Sequence, residues 1–199
     1  VYLLCTDGVA EFDLTTQRFK TLLQGNVDAI YFNEKLYIGK REEVFVYNES
    51  TGNFDLYYHL AGKDITLSCL HLDEKKNLWM GTTSNGLYCL SGDKKISQPV
   101  TRGNIASIYE DSSKELWICT WEEGLYRIKT DSTIENFRHD PKNPNSICAD
   151  FVRSCCEDNA GNLWIGTFHG LNRYEKSTGK FQLYTANANK PDGLTHSSI

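Results

Sequence analysis

The string Leu163-Trp164-Ile165-Gly166-Thr167, followed by Gly170-Leu171-Asn172-Arg173-Tyr174 and Thr178-Gly179-Lys180-Phe181, recurs imperfectly along the 199-residue chain. Leu116-Trp117-Ile118-Cys119-Thr120 precedes Gly124-Leu125-Tyr126-Arg127, and Leu78-Trp79-Met80-Gly81-Thr82 precedes Gly86-Leu87-Tyr88. Two looser copies stand upstream, Leu36-Tyr37-Ile38-Gly39 and Val1-Tyr2-Leu3-Leu4. The aromatic residue falls at positions 2, 37, 79, 117 and 164, at intervals of 35, 42, 38 and 47. Periods of this size mark arrays, solenoids or propellers, in which one small unit buries its faces only against its neighbours.

The content of the unit selects among these. A short run ending in acidic residues, such as Ile105 to Asp111 or Val152 to Asp158, reads as a strand entering a turn. The β-branched and aromatic Leu-Trp-Ile-Gly-Thr run is a second strand, the Gly-Leu run a third, and Phe181 to Tyr184 a fourth. Four short strands in roughly 40 residues make the blade of a β-propeller. Helical repeats are excluded because no window sustains apolar residues at three-four spacing. The fold class is therefore all-β, with blades of four antiparallel strands.

In this register residues 1–22 form a partial blade, 27–58, 67–98, 105–138 and 152–186 form blades, and 187–199 link into the next. The expectation is an incomplete part of a six- to eight-bladed propeller, seven being the preferred number. Tyr37, Trp79, Trp117 and Trp164 are expected to be the large packing elements, Trp164→Ala costing about 3 to 5 kcal/mol if it is buried. Gly39, Gly81 and Gly166 are expected to leave room for that ring, while Gly86, Gly124 and Gly170 open the third strand. Cys119 replaces the first kind of glycine in one copy, so that interface must admit a larger residue.

A net charge of −5, with basic residues never clustered beyond isolated pairs such as Lys94-Lys95 and Lys40-Arg41, argues against a basic face for nucleic acid. No apolar stretch approaches the roughly 18 residues of a membrane span. The seven cysteines show no CxxC spacing, so no metal or cofactor site is assigned. They read as small, mostly buried apolar side chains, with a Cys155-Cys156 vicinal disulfide the less favoured alternative.

The string Leu-Trp-Ile-Gly-Thr-x-x-Gly-Leu-x-Arg-Tyr, preceded by Glu157-Asp158 and followed by Thr178-Gly179-Lys180-Phe181, resembles the two-component regulator propeller repeat. No Gly-His and Trp-Asp signature of WD repeats is present. The resemblance implies an extracytoplasmic, periplasmic sensor region of an inner-membrane sensor histidine kinase, often a hybrid kinase, that detects oligosaccharides and regulates transcription. It also implies further blades and domains in the same polypeptide and a homodimeric parent. No kinase motif, receiver or DNA-binding module occurs in this stretch, so the segment itself is not read as an enzyme.

Ligand-binding residues are expected in the loops between second and third strands, which vary while their flanks stay fixed. These loops hold Arg41, Asn85, Trp121 with Glu122 and Glu123, and Phe168 with His169, all on one rim. Trp121 suits a sugar's apolar face, and the adjacent carboxylates suit its hydroxyls. Arg153, on a first strand, points either into the channel or to a salt bridge with a neighbouring blade. Adjacent Glu122 and Glu123 make no glycosidase pair, and no catalytic residues are assigned. The competing readings are a propeller enzyme such as a lyase, which needs a His and Glu set at the channel mouth, and a protein-interaction scaffold.

Overall fold

The structure is a computed structural model that describes every residue except 6, 63, 99, 187–193, 195 and 197. Nineteen strands form five antiparallel sheets, with no helix among the described residues. The first sheet has three strands, β1 (Tyr2–Cys5), β2 (Gly8–Asp13) and β3 (Arg18–Gln24). The second comprises β4 (Ala29–Asn33), β5 (Lys35–Lys40), β6 (Glu43–Asn48) and β7 (Asn53–His59). The third comprises β8 (Leu67–Leu72), β9 (Leu78–Thr82), β10 (Leu87–Leu90) and β11 (Ile96–Ser97). The fourth comprises β12 (Ile105–Glu110), β13 (Leu116–Thr120), β14 (Leu125–Ile128) and β15 (Ile134–Phe137). The fifth comprises β16 (Val152–Glu157), β17 (Leu163–Thr167), β18 (Gly170–Glu175) and β19 (Lys180–Tyr184).

Strand order follows chain order in every sheet. The first strands of consecutive sheets, β4, β8, β12 and β16, lie side by side, as in propeller blades set round an axis. Each of β8, β12 and β16 carries a bulge one residue after its start, at Ser68, Ala106 and Arg153. Second strands are the most buried elements: β9 and β13 are buried at every position. Both of their faces meet neighbouring sheets, which explains their continuous rather than alternating apolar pattern.

The repeated glycine has a different neighbour from the one its sequence suggests. A Cβ at Gly81 would stand 2.5 Å from Cys69 Sγ and 2.8 Å from Ile105, and one at Gly39 would stand 3.0 Å from Leu67. The glycine thus makes room for the first strand of its own blade and for the start of the next blade's first strand, not for its own Trp. Cys119 is fully buried, with its Sγ 3.6 Å from Cys155 Sγ. Ile199 meets Gly166 as Leu67 meets Gly39, and its N–H donates to Thr167 O at 3.1 Å. The rest of the expected link at 187–199 lies mainly outside the described residues.

Trp117 is fully buried and Trp79 is 8% exposed, but Trp164 is only half-buried. Its ring packs on Tyr184 at 5.4 Å, and fewer neighbours cover its other face than cover Trp117. All seven cysteines are free thiols, so no Cys155-Cys156 disulfide is present. Cys89 and Cys119 are buried as expected, whereas Cys5 and Cys156 are exposed because they lie on outward strand positions. Among the described residues no helix is long and apolar enough to cross a membrane.

Candidate functional site

The second-to-third loops are closed by the same two residues in three sheets. The Thr120 hydroxyl donates to Gly124 O at 2.7 Å and accepts from Glu123 N at 2.9 Å. Thr82 does the same with Gly86 O and Asn85 N, and Thr167 with Gly170 O and His169 N. All three threonines are fully buried. Gly124 has φ 78, and a Cβ there would stand 2.3 Å from Phe137 O, so a side chain is excluded both by conformation and by space. The repeat's Thr and Gly therefore clamp the loop ends, and the intervening residues are presented at the rim.

That rim also holds the approaches to the first strands. Trp121 N donates to Asn104 O at 3.1 Å, and Phe168 N to Phe151 O at 3.2 Å. Each bond ties a loop to the approach of its own sheet's first strand, and the ring contact of Trp121 with Phe151 joins the two sheets. The Trp121 ring meets Phe151 edge-on at 4.6 Å, Phe151 meets Phe168 at 5.5 Å, and Phe168 meets the His169 ring at 5.7 Å. Trp121 is 39% exposed and Phe168 53%. The result is a continuous aromatic strip across the fourth and fifth sheets.

Of the neighbouring carboxylates, only Glu122 faces solvent, with no hydrogen bond or ion pair of its side chain among the described residues. Glu123 turns inward, where its carboxylate accepts from the hydroxyls of Thr101 and Tyr126, the latter at 2.9 Å. The expected flanking of Trp121 by two carboxylates is thus reduced to one, because Thr101 and Tyr126 offer Glu123 a half-buried site. Arg138 supports the loop from below: its guanidinium bonds Asp150 at 2.7 Å and Glu122 O at 3.0 Å. That pairing raises the Arg138 pKa. Asp150 immediately precedes Phe151 and Glu122 follows Trp121, so Arg138 ties together the segments that carry the first two rings of the strip.

Arg153 stands at the β16 bulge two residues beyond Phe151, exposed and without an ion pair among the described residues. The salt bridge to a neighbouring blade is not formed. His169 is exposed, and no carboxylate among the described residues lies within ion-pair reach of its ring. Asn85 is half-buried, its Oδ1 accepting from Ser84 at 3.0 Å. Arg41 is exposed on the second sheet's loop, where its N–H donates to Asp28 at 2.5 Å and its carbonyl accepts from Leu67 N. Neither Arg41 nor Asn85 hydrogen-bonds to the strip. Among the described residues no group of His, Cys, Asp and Glu is placed to hold a metal.

Sequence reasoning found Trp121, Phe168 and His169 but not Phe151. Phe151 lies just before a first strand and outside the Leu-Trp-Ile-Gly-Thr string, and only the fold sets it between the other rings. The Arg138–Asp150 pair was also missed, since its members stand twelve positions apart in the repeat's most irregular segment.

Residues 146–169 match the family model described as two component regulator propeller. No curated protein matches the chain. Among solved structures, one similar to this chain is an extracellular domain described as that of a one component system from B. thetaiotaomicron. It has 18% identity and a TM-score of 0.70 over 100% of this chain and 35% of that one. Another is an extracellular domain described as that of a hybrid two component system from the same organism, with 20% identity and a TM-score of 0.69 over 98% and 27%. A third is virginiamycin B lyase from Staphylococcus aureus, with 14% identity and a TM-score of 0.71 over 92% and 65%. The chain thus spans less than two thirds of each. At such identities the likeness establishes the propeller fold alone.

Proposed function

We propose that the chain is a ligand-binding propeller segment of an extracytoplasmic sensor in a two-component system, and that its ligand is an oligosaccharide. The observation that carries this reading is the solvent-facing strip of Trp121, Phe151 and Phe168. Sugar rings present apolar C–H faces that stack on such aromatic rings. The hydroxyls at a sugar's edge need acceptors and donors, for which exposed Glu122, beside Trp121, and exposed Arg153, two residues beyond Phe151, are the nearest candidates in sequence.

The matched repeat at residues 146–169 supports the sensor class, and two of the strip's rings, Phe151 and Phe168, lie within the same segment. A blade scaffold locked by buried second strands changes shape little. A ligand would therefore signal by favouring one juxtaposition of propellers or protomers over another, which requires different affinities for the two arrangements. A kinase downstream and a membrane anchor belong to this proposal and not to the chain described.

The lyase reading is supported by likeness of fold only. His169 has no carboxylate within ion-pair reach among the described residues, so it forms no acid-base pair beside the aromatic strip. Calorimetry of the complete extracytoplasmic region against a panel of oligosaccharides and disaccharides tests the proposal. Heat of binding from at least one glycan is expected, and silence across the panel would remove the sensing reading.

A further inference from the structure

The interface between the third and fourth sheets contains a crevice of about 360 Å³, floored by Trp79 on the rim opposite the aromatic strip. Its volume falls at the low end of the about 300 to 1,000 Å³ usual for small-molecule sites. Strand register explains why it is open. At the next interface, between the fourth and fifth sheets, the corresponding space is filled.

There Tyr174, paired with Phe181 across β18 and β19, packs edge-on against Trp117 at 5.3 Å. The equivalent pair in the fourth sheet is Ile128 and Ile134, two aliphatic residues in place of two rings. On the facing sheet Arg127 lies over Trp117 at 5.2 Å and pairs with Glu115 and Glu135. Its equivalent beside Trp79 is Cys89, with Ser97 across from it. Finally, Lys176 follows Tyr174 by two residues and sets its ammonium 2.9 Å from Asp111 and 2.6 Å from Glu157. The residue two beyond Ile128 is Thr130, which cannot reach that far.

The carboxylates nevertheless remain. Asp73, whose Oδ2 accepts from the Trp79 indole and from the Asn77 amide, each at 2.9 Å, is the equivalent of Asp111, and Glu110 is the equivalent of Glu157. Both line the crevice. Lys75, Lys114 and Lys129 line it too; Lys114 and Lys129 are engaged by Glu74 at 3.3 Å and Glu135 at 2.5 Å, and Lys75 has no ion pair among the described residues. His71, 3.4 Å from Glu110, is the basic group nearest that carboxylate, and burial depresses its pKa.

We propose that this crevice binds a small organic cation, a primary amine with an aromatic or aliphatic body. Its ammonium bridges Asp73 and Glu110 as that of Lys176 bridges Asp111 and Glu157, displacing the Asn77 amide from Asp73. Its body lies against Trp79, in the room left by Ile128 and Ile134. The site is separate from the strip of Trp121, Phe151 and Phe168 and stands or falls without it.

Titration calorimetry of the complete chain with tyramine, and with tyrosol as the same skeleton bearing a hydroxyl for the ammonium, tests the assignment. Tyramine should bind about tenfold or more tighter than tyrosol, the ratio expected of a charge-assisted bond. Thr130→Lys supplies the missing ammonium in cis; it should abolish tyramine binding and raise the Tm, while Thr130→Gln should leave the tyramine preference in place. Equal binding of tyrosol, no binding of tyramine, or tyramine binding undiminished in Thr130→Lys would each overturn the proposal.

Discussion

The indole N–H of Trp117 donates to the carboxylate of Asp111 at 2.9 Å, and the same oxygen receives the ammonium of Lys176 from the next sheet at 2.9 Å. The first bond recurs as Trp79 to Asp73 and Trp164 to Asp158, at 2.9 and 2.8 Å. In each case the other carboxylate oxygen accepts from a backbone N–H four residues on, closing the first-to-second turn. One aspartate thus closes its own turn and orients the blade's largest side chain. At Asp111 it also holds the adjoining blade.

Removing that aspartate leaves the Trp117 indole N–H and the Glu115 backbone N–H without their acceptor, and Lys176 with Glu157 alone. Asp111→Ala is expected to cost about 3 to 5 kcal/mol, the range for breaking a buried pair. Urea unfolding of the variant against the parent chain measures it.

The same cluster sets a dependence on pH. Burial would raise the Asp111 carboxyl, but the bonds from Trp117 and Lys176 outweigh it and hold it below the ordinary value. Glu157 is lowered by the same balance, its bonds from Lys176 and Ser112 exceeding the effect of burial. Depressed carboxyls contribute stability above their unfolded pKa, about 4, and lose it as pH falls through the folded value. Thermal melts over this acid range should show a shallower loss of Tm in Asp111→Asn than in the parent chain.

Burial distinguishes the tryptophans. Trp117→Ala, at a fully buried site, is expected to cost about 3 to 5 kcal/mol. Trp164→Ala, at a half-buried one, should cost clearly less in the same denaturation series.

The glycine of the second strand makes a third comparison. Gly81→Ala would place a methyl 2.5 Å from Cys69 Sγ and 2.8 Å from Ile105, so overpacking of about 1 to 3 kcal/mol is expected. Cys119→Ala removes only the sulfur that faces Cys155 and should be the milder change by chemical denaturation.

Thiol reactivity should follow exposure. Cys5 and Cys156 are exposed and should react with a disulfide reagent in the native state. Burial pushes the Cys69 thiol up to about 12, and contact with Cys119, together with burial, raises Cys155 well above its ordinary value. Those two should react only on unfolding, as timed thiol counting with and without denaturant would register.

The repeat made the architecture legible because strand composition and turn residues recur at one spacing, so local chemistry and packing agree. Its limits are equally physical. Asp111 and Trp117 are six residues apart and look like an unrelated turn and strand until the hairpin closes. The role of the repeated glycine depends on Leu67 and Ile105, residues of the following blade. Glu123 reads as a rim carboxylate because Thr101, which draws it inward, lies 22 residues away. Phe151 could be placed between Trp121 and Phe168 only by the curvature that brings two sheets together.

The most direct test of the account is the affinity of a glycan ligand for the complete extracytoplasmic region and for its Trp121→Ala, Phe168→Ala double variant. Both rings are exposed, so the variant should keep its Tm, while losing two stacking partners should weaken binding by about a hundredfold, on the order of 1.4 kcal/mol per ring. Glycan binding of unchanged strength in the folded double variant would contradict the assignment of the rim strip as the binding surface.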